Sequence, residues 1–290
     1  MATPITNQAT LTYNYGTESG SAQSNIATTM LQGPLTLAKH VLEPTYRFQD
    51  ELSYTLIVKN TSSIALSNVS IVDNLGTYPV AGTTNVTPLE YVGPANLYID
   101  NVFSSVITPT VSADNSSLTF VINSIAALSE LLIQYKVKTN EYAGLATGSS
   151  IHNTATATAD GITTPVTAEA TTTVEDYAEI QIKKDMSPNP VVNGSSITYT
   201  FLIENYGNAQ ASDIILRDTF HASGVPSLLN ITVDGVPFTE FDYTDGVLLL
   251  PGLSSTYNFN LDPATITTDP ATGVTTLKPS SHTVVVTGRI

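Results

Sequence analysis

The feature that most constrains the fold is a long internal repeat. The strand-like run LSYTLIVKN at 52–60 recurs 145 residues later as ITYTFLIEN at 197–205. In the first copy the match extends without a gap from Lys39 to Asp73. Self-similarity over this length indicates two homologous domains in one chain.

A second repeat lies out of phase with the first. The run ITNQATLTY at 5–13 resembles IHNTATATA at 151–159, and each is followed by a turn and a second strand-like run. Both copies therefore predict a β-hairpin. The hairpin at 151–174 closes the first domain. The hairpin at 5–31 precedes that domain and has no domain of its own.

Composition agrees with a fold made of strands alone. Charged residues make up only 12% of the chain, and Gly and Pro punctuate short apolar runs. Long amphipathic helical patterns are nearly absent. The predicted fold class is all-β, with tandem immunoglobulin-like β-sandwiches and an N-terminal donor β-hairpin. The predicted boundaries are 1–33 for the donor hairpin, 34–176 for the first sandwich and 177–290 for the second, incomplete one.

The spare hairpin and the missing hairpin together predict assembly between copies of the chain. The second domain ends at 284–290, which aligns with 132–138 of the first, so it lacks closing strands. Such a sandwich exposes an apolar groove and open strand edges. The link at 32–34 is too short to carry the leading hairpin past the first domain. The hairpin is therefore expected to complete the second domain of another copy, and repetition of this contact builds a fibre. The hairpin residues expected to fill the groove are Ile5, Ala9, Leu11, Tyr13, Ile26 and Met30.

Polar residues interrupt the core-facing series of otherwise apolar strands, and they do so in both repeats. Within one chain the predicted group is Lys39, Asp73 and Asn153. Across two copies it is Lys184 and Asp218 with Asn7 of the incoming hairpin. One interpretation is a buried salt bridge next to a lysine that reaches towards solvent. The other is an isopeptide bond, in which a neutral Lys amine attacks the Asn amide, a protonated Asp carries the proton, and ammonia leaves.

Several other classes of function are disfavoured. A net charge of −15 opposes binding to nucleic acid. The chain has no Cys, its four His lack ligand spacing, and no nucleophile or phosphate-binding motif appears, so we expect no metal, no cofactor and no enzyme. No run is long and apolar enough for membrane insertion, and the first residues do not read as a secretory signal. The alternative to a fibre subunit is a cell-surface adhesin or cell-wall binding module that acts as a monomer.

The motifs resemble a known bacterial family. The pattern Leu-x-Lys, Tyr-Thr-Leu-x-Val-x-Asn-Thr, NVSIVDNL at 68–75 and NTAT at 153–156 is similar to the conserved-repeat domain of surface proteins called domain of unknown function eleven. The resemblance covers both repeats, although the second lacks its own Asn-x-Ala hairpin. The opening Asn-Gln-Ala-Thr-Leu hairpin resembles the major proteins of clostridial spore appendages. That resemblance implies an extracellular structural protein of a spore or cell surface, made without a signal peptide. Its main partner is itself, and other appendage or surface proteins are further partners.

Overall fold

The computed structural model describes residues 3–31, 33–82, 84–220 and 226–290. These residues form strands and no helix, which confirms the all-β class. It follows that the described part of the chain has no helix able to cross a membrane. The strands form a leading hairpin and two sandwiches, and each sandwich has its own hydrophobic core.

The leading segment is a long hairpin with an interruption in its middle. Its strands are β1 (Thr3–Asn7), β2 (Thr10–Tyr15), β3 (Glu18–Gln23) and β4 (Ala27–Leu31). β1 pairs with β4 and β2 with β3, and within the described ranges these four strands pair with no others. Between the two ladders, residues 8–9 on one arm face 24–26 on the other, so the returning arm carries a bulge.

The first sandwich is built from two sheets of six strands each. Its strands are β5 (Leu35–Val41), β6 (Thr45–Tyr46), β7 (Glu51–Asn60), β8 (Leu66–Asp73), β9 (Tyr78–Val80), β10 (Thr84–Val86), β11 (Leu89–Tyr91), β12 (Ala95–Ile99), β13 (Val102–Ile107), β14 (Thr110–Val111), β15 (Leu118–Ile125), β16 (Glu130–Thr139), β17 (Ser150–Thr158) and β18 (Val166–Val174). One sheet runs β13-β12-β16-β7-β5, with β11 also on β16, and the other runs β14-β15-β8-β17-β18-β6. A separate small sheet joins β9 and β10.

Strand alternation explains how these strands build the first core. In β7 every second side chain is buried, beginning at Leu52 and including Tyr54, and those between are more exposed. β17 continues the second sheet from β8, with Ala155 opposite Asp73. The hairpin of β17 and β18 also lies against β5 of the facing sheet. The first sandwich is thus closed by strands of its own sequence.

The second sandwich repeats this plan with fewer strands. Its strands are β19 (Ile180–Ser187), β20 (Ser196–Asn205), β21 (Leu216–Thr219), β22 (Ser227–Val233), β23 (Val236–Pro237), β24 (Asp242–Thr244), β25 (Val247–Leu250), β26 (Thr265–Thr268), β27 (Thr275–Lys278) and β28 (Ser280–Arg289). One sheet runs β19-β20-β28-β22-β23 and the other only β21-β25-β24, while β26 and β27 pair with each other. β21 holds Asp218 and corresponds to β8. In the part of the chain that the structure describes, β21 pairs with β25 alone, whereas β8 has a neighbour on both sides.

The predicted alignment of the last strand is wrong by one residue. β28 crosses β20 as β16 crosses β7, but Tyr199 lies opposite Val286, whereas its counterpart Tyr54 lies opposite Tyr135. Val286 is therefore the counterpart of Tyr135. The sequence alignment had made Thr287 that counterpart. Since side chains alternate with a period of two, a slip of one residue exchanges the buried and exposed faces.

Direct hydrogen bonds join the two sandwiches. The amide Nδ2 of Asn208 donates to the carbonyl oxygens of Leu145, at 3.1 Å, and Glu175, at 2.9 Å. From the hairpin of β26 and β27, the backbone N–H of Thr275 donates to the carbonyl of Glu141 at 2.7 Å. The second sandwich is therefore held against the first by more than the connecting chain.

Candidate functional site

A buried polar cluster lies between the two sheets of the first sandwich. Lys39 comes from β5 and Asp73 from β8, and the Nζ of Lys39 donates to the Oδ2 of Asp73 at 2.6 Å. Both side chains have 0% exposure. The hydroxyl of Tyr135 donates to the same carboxylate oxygen. The other oxygen, Oδ1, accepts the backbone N–H of Leu75 at 2.9 Å. The carboxylate is thus held by three donors.

Asn153, from β17, is a third polar residue of the same buried region. Its side chain is fully buried, and neither Nδ2 nor Oδ1 has a partner within the described chain. A buried polar group without a partner costs about 1–3 kcal/mol, so most such groups in folded proteins are paired. Asn153 has two such atoms. An amide left in this condition next to Lys39 and Asp73 calls for an explanation other than fold stability.

The electrostatics of the cluster favour an uncharged amine. Burial lowers the pKa of Lys39 from 10.5 to about 8, and the charge and hydrogen bond of Asp73 oppose that shift only in part. Burial also raises the pKa of Tyr54 and Tyr135, and the charge of Asp73 adds to the effect. Both hydroxyls therefore remain protonated at pH values where the Lys39 amine is largely neutral. Such a lysine can act as a nucleophile.

The second sandwich holds the equivalent ion pair, and this pair is partly exposed to solvent. The Nζ of Lys184 lies 2.7 Å from both carboxylate oxygens of Asp218. Here the side chains are 40% and 12% exposed. The Lys184 ammonium lies over the rings of Tyr199 and Phe220, with centroids at 5.0 Å and 5.5 Å. The difference from the first sandwich is the hairpin of β17 and β18, which has no counterpart among the described strands on β21.

The leading hairpin places Asn7 in the same local register as Asn153. Asn7 of β1 lies opposite Ala27 of β4, just as Asn153 lies opposite Ala170. In an antiparallel pair, residues directly opposite each other share a face. The predicted groove-filling residues whose side chains the structure describes are largely exposed, and Leu11 is 64% exposed. They are Ile5, Ala9, Leu11, Tyr13 and Ile26.

Two of the predicted groove-filling residues, Met30 and Ile26, do not share the strand face of Ile5. Met30 pairs with Pro4, so its position is out of phase with Ile5, which pairs with Thr29. The in-phase place belongs to Leu31. The side chain of Met30 itself lies outside the described part of the structure. Ile26 falls in the bulge, where one extra residue breaks the alternation of the strand.

Sequence reasoning missed the two tyrosines of the cluster. Tyr54 and Tyr135 are opposite each other on β7 and β16, and their rings stack with centroids 5.8 Å apart. One signal was available: Tyr54 falls on the buried face of its strand, and the repeat keeps a tyrosine, Tyr199, at the same place. Tyr135 has no such counterpart, since Val286 replaces it.

Comparisons with known proteins add little to this geometry. No protein-family model matches the sequence, and no curated protein shows significant sequence similarity to it. Among solved structures, the full-length major pilin SpaD of Corynebacterium diphtheriae is 12% identical, with a TM-score of 0.36 over 79% of this chain and 49% of SpaD. The major pilin subunit BcpA of Bacillus cereus is 13% identical, with a TM-score of 0.35 over 96% of this chain and 73% of BcpA. The C-terminal fragment of the major pilin GBS80 of Streptococcus agalactiae is 14% identical, with a TM-score of 0.35 over 79% of each chain. Likenesses this low carry no argument about function. The resemblance to the conserved-repeat domain and to spore appendage proteins stays a prediction.

Proposed function

We propose that this chain is the structural subunit of a spore-surface or cell-surface fibre that grows head to tail. Each subunit inserts its leading hairpin, residues 3–31, beside β21 in the second sandwich of another subunit. Isopeptide bonds reinforce the product. One joins Lys39 to Asn153 within a subunit, and the other joins Lys184 to Asn7 across the subunit boundary.

The observation that carries this proposal is a match between a spare element and an empty place. β17 completes the second sheet of the first sandwich, and no described strand does so beside β21. The leading hairpin reproduces the local register of β17 and β18, and among the described strands it pairs only within itself. Docking would remove apolar surface from water on both partners, which is the main favourable term in association. The apolar residues now exposed are Ile5, Leu11 and Tyr13 on the hairpin and Ile180, Ile182 and Met186 on β19.

The chain's own geometry favours capture by a different subunit. The segment between β4 and β5 has three residues, which span about 10 Å when fully extended. The first sandwich is at least as long as β7, whose ten residues span about 33 Å. The second sandwich is hydrogen-bonded to the far end of that body through Asn208. A hairpin tied to the start of β5 therefore reaches a neighbouring molecule more easily than its own β21.

The first sandwich also supplies the register of the docked hairpin. Ala155 of β17 lies opposite Asp73 of β8. The same register places Ala9 of the incoming hairpin opposite Asp218. It also brings Asn7 close to the Lys184 ammonium, because Asn7 takes the position that corresponds to Asn153 in the first sandwich. The covering hairpin would then exclude water from the ion pair, which is now partly exposed.

The unpaired amide of Asn153 supports a covalent product rather than a salt bridge alone. A salt bridge uses only Lys39 and Asp73, and it leaves both amide atoms of Asn153 buried at a cost. In an isopeptide bond that amide is a reactant, and the new amide is neutral. The chain contains no Cys, so any covalent reinforcement has to use other side chains.

Bond formation within the subunit should depend on pH through Lys39. The nucleophile is the neutral amine, whose fraction rises about tenfold per pH unit below its pKa. With that pKa near 8, we expect the rate of ammonia loss to rise with pH and to level off above about pH 8. Intact-mass measurements on freshly synthesised chain, sampled over time below, at and above pH 8, give the profile. A rate that is independent of pH, or that falls towards pH 8, would contradict this assignment of the nucleophile.

Assembly itself is tested by changing the hairpin. We expect the full chain to form fibres visible by negative-stain microscopy and the chain without residues 1–31 to remain monomeric, because no hairpin would then be present to dock beside β21 of another copy. Leu11→Asp should also prevent fibres, since a buried carboxylate in the groove would lack a partner. Thr12→Asp is the matched control, because the neighbouring position points to the opposite face of the strand. A full chain that stays monomeric would instead favour the adhesin alternative.

A further inference from the structure

The hydroxyl of Tyr54 is a second buried polar group without a partner, next to the unpaired amide of Asn153. Tyr54 has 0% exposure and its Oη has no hydrogen bond within the described chain. Burial raises the pKa of the hydroxyls of both Tyr54 and Tyr135, and a weaker interaction of each hydroxyl with the Asn153 amide opposes that rise. No pair among these atoms reaches hydrogen-bond geometry. Two unpaired groups in one buried region suggest a contact that forms only during a reaction.

The ring of the same tyrosine supports the nucleophile. The Nζ of Lys39 lies 5.0 Å from the centroid of the Tyr54 ring. Stacking against Tyr135, with the two ring planes 19° apart, fixes the orientation of Tyr54. The aromatic face of Tyr54 thus lies near the attacking amine, and its hydroxyl lies in the same buried region as the amide under attack. The second sandwich keeps this arrangement, because Lys184 lies 5.0 Å from the ring centroid of Tyr199.

We propose that the Tyr54 hydroxyl is an oxyanion donor for isopeptide formation, binding the Oδ1 of Asn153 as negative charge develops there, and that Tyr199 serves Asn7 of the incoming subunit in the same way. This inference rests on the proposed crosslink. A buried hydroxyl that can reach this oxygen stabilises the tetrahedral intermediate with little reorganisation.

The reaction balances without any other reagent. The neutral Nζ of Lys39 attacks Cγ of Asn153, and the Nζ–Cγ bond forms as the carbonyl oxygen gains negative charge. The proton released from Nζ passes through the carboxyl of Asp73 to Nδ2. The Cγ–Nδ2 bond then breaks, ammonia leaves, and the carbonyl is restored. Tyr54 donates a hydrogen bond to the oxygen while it carries negative charge and ends the reaction unchanged.

Tyr135 has a different part in this scheme. Its hydroxyl already donates to Asp73, so it is a positioning residue that orients the carboxyl. Val286 stands in its place in the second sandwich, where no such hydroxyl can come from β28. The donor that both repeats share is therefore the tyrosine of β7 and β20.

The test is Tyr54→Phe in the full chain, with ammonia loss followed by intact mass after cell-free synthesis. Removing one oxyanion donor slows comparable reactions about 100- to 1,000-fold, and we expect a loss of that size. Phenylalanine keeps the ring under Lys39, so the slowing should be the same at every pH and the midpoint of the profile should not move. Tyr46→Phe is the matched control, because that buried hydroxyl donates to Gly144 O at 2.6 Å, outside the cluster.

Three measurements separate this inference from its alternatives. In the Lys39→Ala background, Tyr54→Phe should not lower the thermal midpoint, because a purely structural role of the hydroxyl would make the double variant less stable. Ammonia loss from Tyr54→Phe at the wild-type rate would overturn the role of Tyr54 while leaving the crosslink in place. A wild-type chain of full mass would remove the crosslink and this role together.

For the other repeat, Tyr199→Phe should slow the appearance of detergent-resistant oligomers and leave fibre assembly unchanged.

Discussion

Replacing Asn153 by leucine is expected to lower the free energy of unfolding of the first sandwich by about 4–5 kcal/mol, the stabilisation that loop-closure entropy gives a crosslink spanning roughly 100 residues. Leucine keeps the heavy-atom branching of asparagine and carries no polar atom, which suits a fully buried place. If Lys39 and Asp73 formed only a salt bridge, the same change would remove two unpaired buried atoms and leave stability equal or higher. The sign of the change therefore distinguishes the two interpretations.

Denaturant unfolding of four variants measures this directly. They are the wild type, Asn153→Leu, Lys39→Met and the double variant. Lys39→Met should destabilise under either interpretation, because it leaves the buried Asp73 carboxylate without its cation, which costs about 3–5 kcal/mol. In that background Asn153→Leu should cost nothing, since the bond is already absent. Lys136→Met is the control for loss of a lysine, because its ion pair with Glu51 is more than half exposed and is worth about 1 kcal/mol or less.

Much of this arrangement could be predicted from sequence because successive side chains of a strand point to opposite faces of the sheet. Alternation put Lys39, Asp73 and Asn153 on inward faces, and the structure brings all three to one buried region. The repeat itself revealed the spare hairpin. These inferences need only local pattern and an unbroken offset between copies, and both are visible in one chain.

The errors arose where one residue is added or where two distant strands meet. The bulge at 24–26 shifts the returning arm of the leading hairpin by one place, and this removed Met30 from the face it was assigned to. The last strand was aligned one residue out, which concealed the exchange of Tyr135 for Val286. The contact of Tyr135 with Asp73 depends on how two sheets are packed. No periodicity along a single strand contains that information.

Fibres of the wild-type chain are expected to survive boiling in detergent as a ladder of covalent oligomers, whereas Lys184→Arg fibres should assemble normally and dissociate to monomers. Arginine keeps the positive charge next to Asp218, so docking of the hairpin should be preserved. Its guanidinium remains protonated at all accessible pH values and cannot attack the Asn7 amide. The substitution therefore separates assembly from covalent linkage. Denaturing gels of fibres first checked by microscopy give the result.

Lys183→Arg is the control for this experiment, because the neighbouring lysine is exposed and its Nζ lies 3.6 Å from the carboxylate of Asp185 rather than near the open edge. That variant should give the wild-type ladder. Asn7→Ala should behave like Lys184→Arg, since it removes the other reactant. If Lys184→Arg fibres resisted detergent as well as the wild type, the covalent link would have to lie elsewhere. If wild-type fibres dissolved, hairpin docking alone would hold the subunits together, and the strength of the fibre would come only from strand pairing and the apolar groove.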